Sequence, residues 1–132
     1  MKLTRYSQNR LNETFVRWSV PKDYADPIFN YLVYGFAPGS FFTSVLANDF
    51  AGAIQHSHPA NTVQALKALV GWIGSVCPAE AVGSYEATEN WCRLESDVRR
   101  KILEGHDLVY TEQEEIMKAL KNEHSIEPFF WD

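Results

Sequence analysis

The middle of this chain is almost free of charge. Residues 27–79 contain only Asp49 and Lys67, whereas residues 1–26 carry five basic and three acidic groups and residues 80–132 carry thirteen acidic and six basic groups. A helix with one face in water normally shows charged residues on that face. We therefore expect the helices of the middle to be covered by the charged ends of the chain or, in part, by a second copy or a partner protein.

Length and composition predict one soluble domain with its own core. The chain has 132 residues, of which 45% are hydrophobic, enough for a single core. No run approaches the roughly 18 apolar residues of a membrane-spanning helix, and the amino terminus lacks the apolar region of a signal peptide. We predict a cytoplasmic protein that does not bind membranes. The net charge of −5 disfavours nucleic acid as a partner, because Lys and Arg supply most of nonspecific binding.

Helical patterning begins within the uncharged middle. A first helix is predicted to begin at Asp26-Pro27, with the aspartate as cap and the proline at the first helical position, and to end near Phe36. A second is predicted to run from about 41 to 56, capped by Ser40. Residues 1–20 are ambiguous between helical and alternating patterns, and we favour a helix or irregular structure there.

A third helix is predicted to begin at Asn61 or Thr62. Its opposite face holds the small or uncharged residues Gln64, Ala68, Gly71 and Ser75, which would let another backbone approach closely. Packing against another helix of the same chain is favoured there over a dimer or partner contact. The apolar stripe of this helix consists of Val63, Leu66, Leu69, Val70, Ile73, Val76 and Cys77.

Two charged helices are predicted to follow. The fourth begins at the Gly83-Ser84 cap and ends at Gly105, with Glu95–Arg99 and Asp97–Lys101 as ion pairs on its solvated face. The fifth opens with a capping box at residues 111–114. Its apolar residues are Ile116, Met117 and Leu120.

These elements predict an all-α fold with one domain over residues 1–132. We expect a single compact bundle of about five helices with a nearly uncharged central pair. Residues 1–20, an N-terminal arm, and residues 125–132, an aromatic tail, are candidates for peripheral segments. Docking of the tail on its own domain is favoured over docking on a partner, whose contact residues would be Phe129, Phe130 and Trp131.

A carboxylate on an apolar helix face is the clearest candidate for chemistry. Asp49 and His56 both fall on the apolar side of the second predicted helix, about 10.5 Å apart along its axis. An unpaired buried charge is costly, so Asp49 must find partners. It either lines a polar pocket with Asn48 and His56 or, as we favour, accepts backbone N–H groups at the turn before Ser84.

Other candidate sites have simple structural explanations. Ser40 and Ser84 lie at helix amino termini that suit a phosphate, but capping alone explains both. His56 and His58 lack the further ligands that a metal needs. Cys77 and Cys92 fit no metal or redox spacing and are predicted to be free, buried thiols. We predict no metal, no cofactor and no catalytic constellation.

Residues 34–50, Tyr-Gly-Phe-Ala-Pro-Gly-Ser-Phe-Phe-Thr-Ser-Val-Leu-Ala-Asn-Asp-Phe, carry a likeness to a known group. This segment resembles small phage and prophage proteins of unknown activity that share a G-x-x-P-G-S/G-F-x-T-A-V-L-x-N-D-L-like motif. The likeness continues through Asn61 to Gly83, Ser84 and Trp91, about half of the chain. Ser44 and Phe50 stand where the motif has alanine and leucine. The resemblance implies an accessory protein in the cytoplasm of an infected bacterium, where it binds host machinery such as a defence system.

Two functional hypotheses follow. The first is a small acidic protein that binds a bacterial host protein through its two acidic helices and aromatic tail and inhibits a defence or other host process. It is a candidate homodimer. The alternative is a protein that binds a small polar, nucleotide-like ligand at a site around Asp49 formed by Ser40, Asn48, Asp49, His56 and Ser84.

Overall fold

The computed structural model describes residues 3–58 and 61–121 and the backbone of 130–131. These ranges contain eight α-helices, two short 3-10 turns (Lys22–Tyr24 and Ala79–Ala81) and one pair of two-residue strands. The helices are α1 Arg5–Arg17, α2 Ala25–Tyr34, α3 Ser40–Leu46, α4 Phe50–His56, α5 Val63–Ser75, α6 Tyr85–Arg93, α7 Ser96–Gly105 and α8 Glu112–Lys121. The strands are β1 Leu3–Thr4 and β2 Phe130–Trp131.

The all-α prediction is confirmed, but the expected number of about five helices is wrong. Part of the difference arises because the predicted helix 41–56 is two helices, α3 and α4. Between them Asn48 adopts a left-handed conformation, with φ of 63°, which asparagine tolerates better than most residues. Asp49 then caps α4 by accepting a hydrogen bond from the Gly52 N–H. Asp49 therefore lies at a helix start and not on a continuous helix face.

The predicted helix 84–105 is also divided, into α6 and α7. Leu94 and Glu95 are extended, with ψ of 146° and 150°. The Arg99 guanidinium donates to the Leu94 carbonyl oxygen and to the Val33 and Tyr34 carbonyls at the end of α2. The expected Glu95–Arg99 surface pair is therefore wrong, because Arg99 is buried and bonded to the backbone.

Helix α2 forms the centre of the core. Ile28, Phe29, Tyr31, Leu32 and Val33 are all fully buried, and α2 contacts α1, α6 and α7. This helix holds no charged residue after its first turn, as the uncharged middle predicted for a covered helix.

Two buried tryptophans connect this core to the helices around it. Trp72 of α5 donates its indole N–H to the Thr14 hydroxyl at 2.9 Å and meets the Phe15 ring edge to face at 5.0 Å. The indole N–H of Trp91 in α6 reaches the Tyr31 and Leu32 carbonyls at 3.1 and 3.2 Å. Both polar groups are thus satisfied inside the core, as burial requires.

The other helices of the middle are covered less than expected. Only Ala53 of α4 is buried, and only Leu69 and Trp72 of α5. Val63, which begins the predicted apolar stripe of α5, is 83% exposed. The uncharged middle therefore contains the core helix α2, the partly buried helices α3 and α5, and also an outer surface with few charges.

Helix caps were predicted with mixed success. Thr62 caps α5 and Ser84 caps α6, each through its hydroxyl. The capping box is present, because Thr111 and Glu114 exchange side-chain to backbone hydrogen bonds of 3.1 Å. Ser40 is not a cap: Gly39 precedes α3 with φ of 91°, and Ser40 is the first helical residue. Helix α2 also begins earlier than predicted, at Ala25.

The two ends of the chain meet. Helix α1 buries Leu11 and Phe15, so the described part of segment 1–20 contributes to the core. Strands β1 and β2 pair antiparallel, with Leu3 opposite Trp131 and Thr4 opposite Phe130. The rest of the predicted tail, 125–129 and 132, lies outside the described residues. Within the described ranges no helix is long and apolar enough to cross a membrane.

Candidate functional site

The Asp49 carboxylate joins α4 to α6. Its Oδ1 accepts the Gly52 N–H at 2.9 Å inside α4, and its Oδ2 accepts the Tyr85 hydroxyl of α6 at 2.5 Å. Tyr85 also lies 3.3 Å from the hydroxyl of Ser44 in α3. The Tyr85 hydrogen bond, the Gly52 hydrogen bond and the charge of His56 lower the pKa of Asp49. Through these bonds and the Tyr85–Ser44 contact, the arrangement links α4, α6 and α3.

The other predicted ligand residues are not gathered at this junction. Ser84 uses its hydroxyl to accept the Ala87 N–H. Ser40 and Asn48 are exposed, and neither takes part in the hydrogen bonds around Asp49. The expected turn before Ser84 does lie close by, because the Gly83 N–H donates to the Leu46 carbonyl at 2.8 Å. The partner of Asp49 from that region is the Tyr85 side chain, however, and not a backbone N–H.

His56 lies at a groove that the sequence did not predict. The groove has a volume of about 520 Å³ and is bordered by α3, the end of α4 and the first turn of α5. The rings of Tyr24, Phe41 and Phe42 pack against one another beside the groove, with centroids 5.0 to 6.1 Å apart. Its lining includes Tyr24, Phe41, Phe42, His56, Asn61 and Thr62. The Tyr24 hydroxyl donates to the Asn61 side-chain oxygen at 3.1 Å.

His58 also lines this groove, so the two neighbouring histidines face the same space. A structural metal site needs about four ligands. Across residues 3–58 and 61–121, no three His, Cys, Asp or Glu side chains are placed so that they could hold a metal ion.

A second cavity is lined by the Cys92 thiol. It has a volume of about 350 Å³ and is lined by Tyr31, Thr43, Thr88 and Cys92 among others. Cys92 is free, and burial raises its pKa, although Arg99 opposes that effect. A thiol with a raised pKa is a poor nucleophile at neutral pH.

A buried carboxylate fixes the orientation of α8. Glu115 is buried, and its Oε1 lies 2.5 Å from Nη2 of Arg100. Its Oε2 accepts the Thr4 N–H at 3.1 Å, the Thr4 hydroxyl, and the Ser7 hydroxyl at 2.7 Å. Burial alone would lower the pKa of Arg100, but the hydrogen bonds and charges of Glu115 and Glu104 raise it above its ordinary value. This polar cluster holds α8 against α1 and α7.

The apolar side of α8 consequently faces outward. Ile116 is 60% exposed, Met117 51% and Leu120 66%. These three residues lie within a 100° arc of the helix, and we call them the α8 stripe. The sequence predicted them as the apolar face of the fifth helix, yet the side that packs inward is the one with Glu115. The α8 stripe is a contiguous apolar surface on one helix, the kind of feature that marks interaction sites.

The predicted partner-binding tail is only partly described. The backbones of Phe130 and Trp131 pair with Thr4 and Leu3, and Phe129 lies outside the described residues. The contact role predicted for these three side chains stays a prediction.

No protein-family model, curated protein or solved structure matches this chain.

Sequence reasoning missed several residues that organise these surfaces. Glu115 looked like one more surface acid next to a capping box, and no local signal marks it as buried. Arg99 and Arg100 looked like members of a solvated face. Tyr85 had a usable signal, because it directly follows the Ser84 cap and so lies on the first turn of α6, beside the turn expected to meet Asp49.

Proposed function

We propose that this chain is a non-enzymatic interaction protein that binds a partner protein through the α8 stripe. The observation that carries the proposal is the orientation of α8. The charged residue Glu115 of this helix is buried, whereas its apolar residues Ile116, Met117 and Leu120 are exposed. An amphipathic helix with an unpartnered apolar face is a common recognition element, and it binds in an apolar groove of its target.

The surroundings of the α8 stripe fit an interface. Glu112 and Glu114 lie in the first turn of α8, and Lys121 lies in its last turn. Stable interfaces have an apolar centre and a polar rim. The partner is therefore expected to offer an apolar groove whose rim is basic near the start of α8 and acidic near its end.

The resemblance to phage and prophage proteins supports a biological setting for this binding. In that setting the partner is a bacterial host protein, the location is the host cytoplasm, and the effect is inhibition of a defence or other host process. The same region of α6 to α8 carries much of the acidic excess of the chain, so a basic rim on the host protein would speed the encounter.

The groups that come closest to catalytic chemistry also support a binding role. Cys92 is held as a thiol by its burial. The buried Ser44 hydroxyl lies 3.3 Å from the Tyr85 hydroxyl and not beside a histidine, and that phenol already donates its proton to Asp49 in a hydrogen bond.

Affinity capture followed by matched variants tests the proposal. The immobilised protein should retain one bacterial protein in stoichiometric amount, identified by mass spectrometry. Leu120→Glu and Met117→Glu should then weaken the purified complex by about 30-fold or more, because truncating a central contact typically costs about 2 kcal/mol or more. Isothermal titration calorimetry measures this change.

Ile54→Glu is the matched control, since Ile54 of α4 is 65% exposed and Leu120 is 66% exposed. It should leave the affinity per binding site unchanged. Circular dichroism should show that all three variants stay folded. If neither Leu120→Glu nor Met117→Glu weakens binding of the captured protein, the α8 stripe is not the contact surface.

The aromatic groove supports a second candidate function, a small-ligand binding protein. Its volume of about 520 Å³ lies in the range of ligand sites, which combine aromatic walls with a few polar groups. The side chains of Phe41, Phe42 and Asn61 suit a flat heteroaromatic ligand such as a nucleoside, whereas the Asp23 carboxylate in the same lining disfavours a phosphate. A melting screen against nucleosides and nucleotides separates the candidates, because ligand at one hundred times its Kd stabilises by about 2.7 kcal/mol.

A further inference from the structure

We infer that the aromatic groove binds a flat organic cation, a nucleoside whose heteroaromatic ring is positively charged because one ring nitrogen is alkylated. Such binding rests on the second candidate function, ligand binding in this groove, and is independent of partner binding by the α8 stripe. The observation behind it is that three aromatic rings and one carboxylate, that of Asp23, line the same space.

The rings of Tyr24, Phe41 and Phe42 attract positive charge. The face of an aromatic ring is electronegative and attracts a cation that lies within about 6 Å of the ring centroid. The three centroids are only 5.0 to 6.1 Å apart, so one bound cation can lie near all three. Phe41 and Phe42 are partly buried, and both therefore keep surface that a ligand can cover.

Asp23 determines the sign of the charge that the groove prefers. Its carboxylate lies in the lining, and burial together with the charge of Asp23 raises the pKa of the Tyr24 hydroxyl. The field of the carboxylate thus reaches the aromatic cluster. The described residues of the lining include no lysine or arginine, and Lys22, the neighbour of Asp23, lies outside it. A cationic ligand is attracted by both the rings and the carboxylate, whereas a phosphate is repelled.

The size and the polar edge of the groove favour a nucleoside over a compact ammonium ion. The volume of about 520 Å³ lies in the range of sites for whole small molecules. Asn61 and Thr62 line the groove beside the rings, and their side chains can hydrogen-bond sugar hydroxyls. The net charge of −5 adds a long-range attraction for any cation that approaches the chain.

A matched pair of ligands isolates the effect of charge. Nicotinamide riboside has a positively charged pyridinium ring, and benzamide riboside has the same shape with a carbon atom in place of the charged nitrogen. Isothermal titration calorimetry of the full chain at pH 8, where histidine side chains are in general neutral, measures both affinities. The wild type should bind nicotinamide riboside about tenfold more tightly, since cation–π attraction and the carboxylate act only on the cation.

Asp23→Asn separates the carboxylate from the rings. It should weaken binding of nicotinamide riboside by about threefold or more, as expected for an exposed ion pair, and should leave benzamide riboside unaffected. Asp26→Asn is the matched control, because Asp26 is also exposed, lies in the first turn of α2 and is not part of the lining. It should change neither affinity.

Phe41→Leu provides a second, independent variant. It keeps an apolar side chain but removes one ring face, so it should also reduce the preference for nicotinamide riboside over benzamide riboside. Thermal unfolding followed by circular dichroism, without ligand, should show that Asp23→Asn, Asp26→Asn and Phe41→Leu are folded at the temperature of the titration.

Several results would overturn the cationic ligand. These are equal affinity for the two nucleosides, tighter binding of benzamide riboside, no binding of nicotinamide riboside at millimolar concentration, or equal effects of Asp23→Asn and Asp26→Asn. If benzamide riboside or adenosine binds without any preference for the cation, ligand binding in the groove stands and only the charge of the ligand is wrong. If no nucleoside binds, the second candidate function falls as well.

Discussion

The sequence correctly predicted that the Asp49 carboxylate needs partners, but it placed Asp49 wrongly in the fold. Its sequence context required partners for a carboxylate near apolar residues, and the structure supplies the Tyr85 hydroxyl and the Gly52 N–H. The preference for a structural role over a pocket fits this geometry. Placement on a continuous helix was wrong because Asn48 and Asp49 together end one helix and start the next, and both residue types favour caps over helix interiors.

The Tyr85 hydroxyl should control the titration of Asp49. Its hydrogen bond is the largest cause that lowers the pKa of Asp49 below the ordinary value of 3.8, so Tyr85→Phe should raise that pKa. A carboxyl whose pKa is lower in the folded state stabilises the fold above its unfolded pKa, and this stabilisation disappears as pH falls through the folded pKa. The stabilisation that Asp49 gives the wild type should therefore decline below about pH 3.8. Tyr85→Phe should lose less stability over the same pH range, because the pKa of its Asp49 lies closer to the unfolded value.

NMR titration of the Asp49 carboxyl carbon measures the pKa directly. Tyr110→Phe serves as the control, because the Tyr110 ring packs with Arg10 and Lys118 on another part of the surface. An Asp49 pKa that is the same in wild type and Tyr85→Phe would show that the hydroxyl does not bond the carboxylate in solution.

Whole elements were predictable where the decisive interactions are local. The caps at Thr62, Ser84 and Thr111 were found because each hydroxyl bonds an N–H three residues ahead. The α6–α7 break could not be found this way, since residues 94–95 contain no glycine or proline. It coincides with the guanidinium of Arg99, which bonds the Leu94 carbonyl while also bonding α2, about 65 residues away in sequence.

Arg99 should be essential for joining α2, α6 and α7. Its guanidinium donates to the carbonyls of Val33, Tyr34 and Leu94, and a positive charge at the end of α2 also favours the helix dipole. Arg99→Met should lower the free energy of unfolding by about 2–4 kcal/mol, because it leaves buried carbonyl groups without donors. Urea denaturation followed by circular dichroism measures the loss.

The neighbouring Lys101 provides the control for this prediction. It is exposed on the same helix, so Lys101→Met should change stability by no more than about 0.5 kcal/mol. Arg99→Lys should remain destabilised, since one ammonium cannot reproduce the planar guanidinium that reaches three carbonyls. If Arg99→Met and Lys101→Met lower the free energy of unfolding equally, the hydrogen bonds from Arg99 to α2 and Leu94 do not contribute specifically to stability.

Whole-molecule features depend on contacts that no local pattern reveals. The uncharged middle correctly predicted a covered helix, α2, but it also supplies the exposed residues Phe50, Ile54 and Val63. The apolar residues of α8 were identified from the sequence, whereas their outward direction follows from Glu115 bonding Thr4 and Ser7, more than 100 positions earlier. A sequence read segment by segment cannot show which side of α8 is held inward, because the partners lie at the other end of the chain.

Glu115 should therefore stabilise the entire fold as well as orient α8. It and Arg100 are both buried. Arg100 keeps Glu104 at 3.0 Å, so the cost of removing Glu115 should lie below the roughly 3–5 kcal/mol of a fully broken buried pair, at about 2–3 kcal/mol. Glu115→Gln should produce a loss of this size in urea denaturation, since the neutral amide cannot balance Arg100 and accept from Thr4 and Ser7 at the same time. Hydrogen exchange should show reduced protection in α1 and α8 together.

Glu112 offers a matched comparison on the same helix. Its carboxylate lies 3.9 Å from Nε of Arg100, but its side chain is 80% exposed, and exposed ion pairs contribute about 0–1 kcal/mol. Glu112→Gln should accordingly change the free energy of unfolding by less than about 1 kcal/mol. If Glu115→Gln is equally mild, α8 is held by something other than this carboxylate, and the outward direction of the α8 stripe loses its physical cause. If only Glu115→Gln is severe, the buried carboxylate that bonds Arg100, Thr4 and Ser7 is what leaves Ile116, Met117 and Leu120 available to a partner.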